Sequence, residues 1–112
     1  MKINIADIKK LIYEHGESYT DCAIVEEPAE LIQAYSKLNR WSYDRSIHTR
    51  LSEDRPDYFD VLNNLIEEMA DVYIILQMIQ VRKGIKTKEI QAEIDRKMQR
   101  NLERFKDQQC NK

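Results

Sequence analysis

Apolar residues recur every three or four positions along most of the chain, which is the period of one face of an α-helix. Four segments carry this pattern: residues 4–15, 18–39, 57–83 and 87–108. Gly16 and Gly84 follow the first and third segments, where a glycine suits a helix C-terminus. The pattern therefore predicts four helices.

Each predicted helix carries one apolar stripe, which we expect to face a common core. In the second, third and fourth helices the stripes comprise Ile24, Leu31, Tyr35 and Leu38; Tyr58, Leu62, Leu65, Met69, Val72, Leu76 and Ile79; and Ile90, Ile94, Met98, Leu102 and Phe105. The third helix has a further apolar face at Tyr73, Ile74 and Ile75, which predicts contact with another copy of the chain.

Two places depart from the helical pattern. Pro28 lies inside the second helix, where it removes a backbone hydrogen bond, so we expect a kink or a bulge. Residues 40–57 have no clear periodicity. An irregular segment of this length is commonly a functional lid or disordered.

Composition supports an all-helical, single-domain protein. The chain has 112 residues but only 2 Gly and 2 Pro, too few for the frequent turns of an all-β domain. Charged residues interrupt the N-terminus, and the apolar run at residues 72–81 is about half a membrane span. Cys22 and Cys110 form no metal or redox motif. We expect one cytoplasmic domain over residues 1–112, with no membrane segment and with reduced thiols.

Charge is divided unevenly along the chain. Residues 1–81 carry 8 basic and 15 acidic side chains, whereas residues 82–112 carry 10 and 5. This division indicates either a solvated surface pattern or a cation site beside an anion site. Acidic residues interleave the basic ones of the fourth helix, so we expect no direct binding of nucleic acid.

A short internal repeat places carboxylates at matching positions on two helices. Residues 24–31 read IVEEPAEL and residues 65–72 read LIEEMADV. At about 100° per residue, with Leu65 at zero, the third helix's stripe centres near 10° and Glu68 lies near 300°. Glu27 has the same position on the second helix. Each lies at the edge of a stripe, with Glu30 or Asp71 beside it one turn away.

Two such helices packed antiparallel would direct four carboxylates into one space. Like charges at this spacing destabilise each helix by roughly 0.2–0.5 kcal/mol per pair, so the arrangement calls for a counter-charge. Carboxylates without imidazole or thiolate form a hard-oxygen site that suits Mg²⁺ or Mn²⁺. The alternative is that these glutamates form solvated faces paired with lysine.

The two motifs also resemble a known family. EEPAE followed by EEMAD resembles the ExxE…ExxD signature of the MazG-like nucleotide pyrophosphohydrolases. The surrounding VEEPAELIQAYSKLNR and NLIEEMADVYIILQ resemble the short single-domain phage and bacterial members. The resemblance implies an all-α, four-helix MazG-like bundle that assembles as a homodimer or homotetramer.

The resemblance also implies roles for individual residues. It implies Mg²⁺ ligands at Glu27, Glu30, Glu68 and Asp71. Glu26 and Glu67 match the family's doubled glutamates, as additional ligands or supporting groups, and a carboxylate left without metal is a candidate catalytic base.

Substrate contacts are implied at several further positions. Asp95-Arg96-Lys97 and Arg100 resemble the family's N-x-K-F-x-R segment, in which Lys97 and Arg100 would contact phosphates; Asp95 stands where Asn is common. Lys37 either pairs with a carboxylate or reaches a phosphate. Trp41, with Tyr43, either stacks on a nucleobase or packs on the helices.

The implied reaction is Mg²⁺-dependent hydrolysis of a nucleoside or deoxynucleoside triphosphate to a monophosphate and pyrophosphate. Two alternatives stay open: a non-enzymatic helical interaction module, and a MazG-like protein that has lost catalysis. Metal dependence separates an enzyme from an interaction module, because a module needs no divalent ion.

Overall fold

The structure, a computed structural model, describes residues 2–47 and 58–110, with side chains described for residues 2–40 and 58–108. These residues form three α-helices and contain no strand: α1 (Ile5–Ile47), α2 (Tyr58–Lys83) and α3 (Thr87–Cys110). The prediction of an all-α protein is confirmed. No helix in the described ranges is both long and apolar enough to cross a membrane.

The first two predicted helices form one element with a break at Gly16. This residue has φ of 82° and ψ of 168°, a backbone conformation that favours glycine. The Thr20 hydroxyl, whose residue is 1% exposed, donates a hydrogen bond of 2.9 Å to the Gly16 carbonyl. The predicted boundary is therefore correct, but no loop separates the two helical segments.

The second part of α1 differs from the prediction in two ways. The helix ends at Ile47, so residues 40–47 are helical and were wrongly predicted to be irregular. A periodic apolar pattern indicates burial of one face of a helix, so its absence does not exclude a helix. Residues 48–57 lie outside the described part of the chain. The backbone has helical angles at Pro28, so the break in α1 is at Gly16 instead.

Local hydrogen bonds define the other helix ends. The Asn4 side-chain oxygen accepts a hydrogen bond of 2.9 Å from the Ala6 amide, as expected of an N-cap. Gly84 has φ of 65°, and the Ile85 amide donates to the Gln80 carbonyl at 3.0 Å. These bonds agree with the start and end predicted from the residue types.

The chain divides into two compact units, residues 1–79 and 80–112. The first contains α1 and most of α2, which run antiparallel, since Glu27 lies near Asp71 whereas Lys37 and Asn64 line one cavity. Its core comprises Ile8, Thr20, Ala34, Val61, Leu65, Ile75 and Met78. The second contains the end of α2, the turn and α3. The single domain over residues 1–112 stays a prediction.

The buried sides of the helices differ from the predicted stripes. With Leu65 again at zero, the buried residues of α2 centre near roughly 290°, about 80° away from the predicted stripe. Met69 and Leu76 are therefore 44% and 49% exposed, and Ile75, which was predicted to be on the second face, is 4% exposed. Tyr35 of α1 is likewise 57% exposed.

The stripe of α3 also does not face inward as predicted. Its members are 37–57% exposed: Ile90, Ile94, Met98, Leu102 and Phe105. Every side chain described on α3 is exposed, so packing against a neighbouring helix explains the rotation of α2 only. A sequence pattern sums all apolar positions of a helix, whereas a single neighbouring helix covers only one sector of its surface.

Candidate metal centre

Three carboxylates from α1 and α2 meet in the first unit. One oxygen atom from each of Glu27, Glu68 and Asp71 lies within 4.8 Å of the other two, and all three side chains are half-buried. Glu30 is exposed but close enough to hydrogen-bond both Glu27 and Glu68. The four carboxylates that the repeat predicted to meet are thus neighbours.

The rotation of the helices explains this convergence. Glu68 lies near 300° on α2, close to the centre of the buried sector and not at its edge. The repeat gives Glu27 the matching position on α1. Leu65, three residues before Glu68, and Ala34, seven residues after Glu27, are both buried. The helix contact therefore brings the two glutamates together and buries one oxygen atom of each.

Two oxygen atoms in this cluster have no hydrogen-bond donor. Glu27 Oε2 and Glu68 Oε2 are buried and have no hydrogen-bond partner among the residues that the structure describes. A buried carboxylate oxygen without a donor is disfavoured, and most buried polar atoms in folded proteins have a partner. These atoms are suited to a cation or a proton.

Electrostatics in the cluster oppose ionisation. Burial, followed by the charges of Asp71 and Glu30, raises the pKa of Glu27 to about 7. Burial and the nearby Glu30 and Asp71 also raise the pKa of Glu68. The largest influences on Glu27 and Glu68 all raise the pKa, so a positive charge placed in the cluster would be stabilised.

We expect the metal-free protein to lose stability as the pH rises from about 4.5 towards about 7, between the ordinary and the folded-state pKa of Glu27. In this window the folded protein holds a proton that the unfolded chain has released, so raising the pH favours unfolding. The loss should be about 1 kcal/mol after allowance for solvent screening. Unfolding by urea in EDTA at pH 5 and pH 7.5 measures it.

Glu27→Gln should reduce this dependence, and Glu14→Gln, outside the cluster, should leave it unchanged. The prediction is wrong if the parent and Glu27→Gln respond to pH alike. Both substitutions remove one carboxylate from α1, so a general effect of charge would appear in both.

A polar cavity of about 360 Å³ adjoins the carboxylates. It is lined by Glu30, Gln33, Ala34, Lys37, Arg40, Asn64 and Glu68. The sequence motifs point to Lys37 but not to the amides of Gln33 and Asn64. The sequence pattern places Arg40 in an irregular segment. The available signal was spacing: Gln33 follows Glu30 by three residues, Asn64 precedes Glu68 by four, and Arg40 follows Lys37 by three, and residues three or four apart share a helix face.

An apolar groove of about 440 Å³ also lies along the same helix pair. Its lining is Leu31, Ile32, Tyr35, Ser36, Leu65 and Met69. Glu30 and Leu31 are adjacent in sequence but line different cavities. The helix pair therefore has a polar side and an apolar side.

Other predicted site residues lie outside the cluster of three. Glu26 and Glu67 are exposed, although the charge of Glu67 contributes to the raised pKa of Glu68. Lys97 and Arg100 are exposed on α3. Asp95, also on α3, accepts a hydrogen bond of 2.9 Å from the side-chain Nε2 of Gln91. The side chain of Trp41 lies outside the described residues. The functional roles of these residues stay predictions.

Comparisons with known proteins identify no relative. No family model, curated protein or solved structure matches the chain. The MazG-like resemblance is therefore carried by the quoted motifs alone, and the function is inferred from these motifs and from the carboxylate geometry.

Proposed function

We propose that the protein is a cytoplasmic, Mg²⁺-dependent nucleotide pyrophosphohydrolase of the MazG-like kind. Its substrate is a nucleoside or deoxynucleoside triphosphate, and its products are the monophosphate and pyrophosphate. The observation that carries the proposal is the meeting of Glu27, Glu68 and Asp71 with two buried oxygens that lack donors. The paired EEPAE and EEMAD motifs supply the reaction class.

The residues present fit a hard divalent cation. Every potential ligand in the cluster is a carboxylate oxygen, the donor that Mg²⁺ and Mn²⁺ prefer. The cluster lacks positive charge, and Glu30 adds a fourth carboxylate at its exposed side. A bound Mg²⁺ would neutralise phosphate charge and acidify a water molecule.

Different residues of the chain bind the metal and transfer the proton in the proposed reaction. Glu27, Glu30, Glu68 and Asp71 hold the cation, and the helix contact keeps part of the cluster away from bulk water. Glu26 or Glu67, exposed beside these ligands, accepts a proton from the attacking water.

Cationic and aromatic side chains complete the proposed substrate contacts. Lys97 and Arg100 are candidate phosphate contacts by resemblance to the MazG-like motif alone. Asp95 belongs to the same motif, and Trp41 is retained as a candidate contact for the nucleobase.

The test is a panel of ribonucleoside and deoxyribonucleoside triphosphates incubated with Mg²⁺, with both products identified. Pyrophosphate and a monophosphate support the proposal if EDTA abolishes their formation. Orthophosphate and a diphosphate would show attack at a different phosphorus and refute it. An interaction module would give neither product and would need no divalent ion.

Assembly into a MazG-like helical bundle as a homodimer or homotetramer is part of the same proposal. Apolar side chains on α1 and α2 are strongly exposed: Val25 is 74%, Ile32 67%, Phe59 66% and Ile66 54% exposed. Ile32 also lines the apolar groove, and exposed apolar surface of this kind marks sites of contact between proteins. A second copy of the chain would cover it.

Light scattering at micromolar protein should therefore give two or four times the chain mass of 13.4 kDa. Ile66→Glu should shift the mass towards one chain, because a charge buried in an apolar interface is costly. Tyr13→Glu, at a position that is 87% exposed on the first segment of α1, is the control. A parent protein with the mass of one chain would refute the assembly.

A further inference from the structure

We propose that the polar cavity beside the carboxylates is a binding subsite for pyrophosphate, in which Lys37 and Arg40 contact the terminal phosphates of the substrate. The inference rests on the proposed function and extends it. The ligand class is an inorganic or nucleotide-linked diphosphate group whose other end is held at the carboxylates. Phosphate recognition is thereby assigned to α1, in the same unit as the cluster.

The position of the cations along α1 supports this assignment. Lys37 follows Glu30 by seven residues, which places it on the same helix face about 10 Å further along the axis. Arg40 lies one turn beyond, and Asn64 of α2 lines the same cavity. The cavity is therefore acidic at one end and basic at the other.

The direction of helical side chains brings the two ends closer. Long side chains of an α-helix lean towards its N-terminus, so Lys37 and Arg40 extend from their backbone positions towards Glu30. A phosphate chain that starts at the carboxylate end meets these cations within the cavity. Without a bound cation, the carboxylates repel the phosphate groups.

The chemistry of the two cations suits such a ligand. Neither Lys37 nor Arg40 forms an ion pair or a hydrogen bond within the described ranges, although Glu30 and Glu68 line the same cavity. An arginine presents a planar fork of donors that matches phosphate oxygens, and a lysine adds a compact positive charge. The amides of Gln33 and Asn64 supply further donors at the cavity wall.

The test is titration calorimetry of inorganic pyrophosphate into the full-length protein at saturating Mg²⁺, with thermal unfolding as a second measurement. The parent should bind pyrophosphate. Lys37→Ala and Arg40→Ala should each weaken binding about tenfold or more, the expected effect of losing a charged hydrogen bond. Lys37→Arg should largely restore it. The stabilisation by Mg²⁺ alone should be the same in all these variants as in the parent.

Lys9→Ala removes an exposed cation of α1 outside the cavity and should bind pyrophosphate as the parent does. Equal weakening in this control would show a general charge effect and overturn the subsite. Unchanged binding by Lys37→Ala and Arg40→Ala would also overturn it, as would a parent that responds to Mg²⁺ but binds no pyrophosphate. These outcomes leave the metal centre standing. A parent that does not respond to Mg²⁺ overturns the proposed function, and the subsite with it.

Discussion

Glu68→Gln should lower the Mg²⁺-dependent release of pyrophosphate from a triphosphate substrate by at least about a hundredfold. Substitution of groups that only support metal ligands costs about ten- to a hundredfold, so loss of a ligand should cost more. Glutamine retains the size of the side chain and one carbonyl oxygen but removes the negative charge. Steady-state pyrophosphate release, measured with the best nucleotide of the panel, gives the effect.

Glu14→Gln is the matched control for this loss. Glu14 is an exposed glutamate of α1 that lies 3.9 Å from Lys10, away from the cluster. Its substitution should leave turnover within about twofold, because Glu14 is not one of the cluster residues. The fold should also persist, because an exposed ion pair contributes little to stability. Full activity in Glu68→Gln would show that the cluster is not the reaction centre.

The same substitution should have the opposite effect on the metal-free protein. In EDTA, Glu68→Gln should be at least as stable as the parent, because the raised pKa of Glu68 reflects burial and repulsion by Glu30 and Asp71. Relief of like-charge repulsion is a common source of stabilising substitutions that reduce activity. Thermal unfolding in EDTA compares the two proteins directly.

Addition of Mg²⁺ should reverse the order of stability. A ligand that binds only the folded state stabilises it by about 2.7 kcal/mol at a hundredfold excess over its Kd. The parent should show this increase, and Glu68→Gln should show much less of it. Melting in millimolar Mg²⁺ completes the comparison.

A monovalent salt at matched ionic strength separates binding from screening. Screening acts on both proteins and needs no specific ion. If sodium chloride reproduces the increase, or if the parent and Glu68→Gln respond to Mg²⁺ alike, the carboxylates form a solvated face. The metal centre and the enzymatic function would both be refuted by that result.

The helices were largely predictable because their ends depend on nearby residues. Asn4 caps α1 through its own side chain, and Gly16 and Gly84 adopt backbone angles that favour glycine. Such effects involve residues only a few positions apart, so the sequence displays them directly. The exception is the extension of α1 through residues 40–47, where a helix forms without an apolar stripe.

The meeting of the carboxylates was also predictable, but the reason for it was not. The repeat places Glu27 and Glu68 at equal angles, which is sufficient to predict that they meet once α1 and α2 pack together. The apolar pattern predicts that they lie at the edge of the core, whereas the structure places them near the centre of the helix contact. Their buried, unpartnered oxygens follow from this position.

The sequence by itself determined the start of α1, its break at Gly16, the end of α2 and which carboxylates share a helix face, because these depend on local geometry. Only the tertiary structure decided which sector of each helix is buried. Ile75 is in the core, whereas Tyr35 and Met69 are exposed. The apolar pattern of a helix includes every face that carries apolar side chains. Only packing decides which of these faces the neighbouring helix covers.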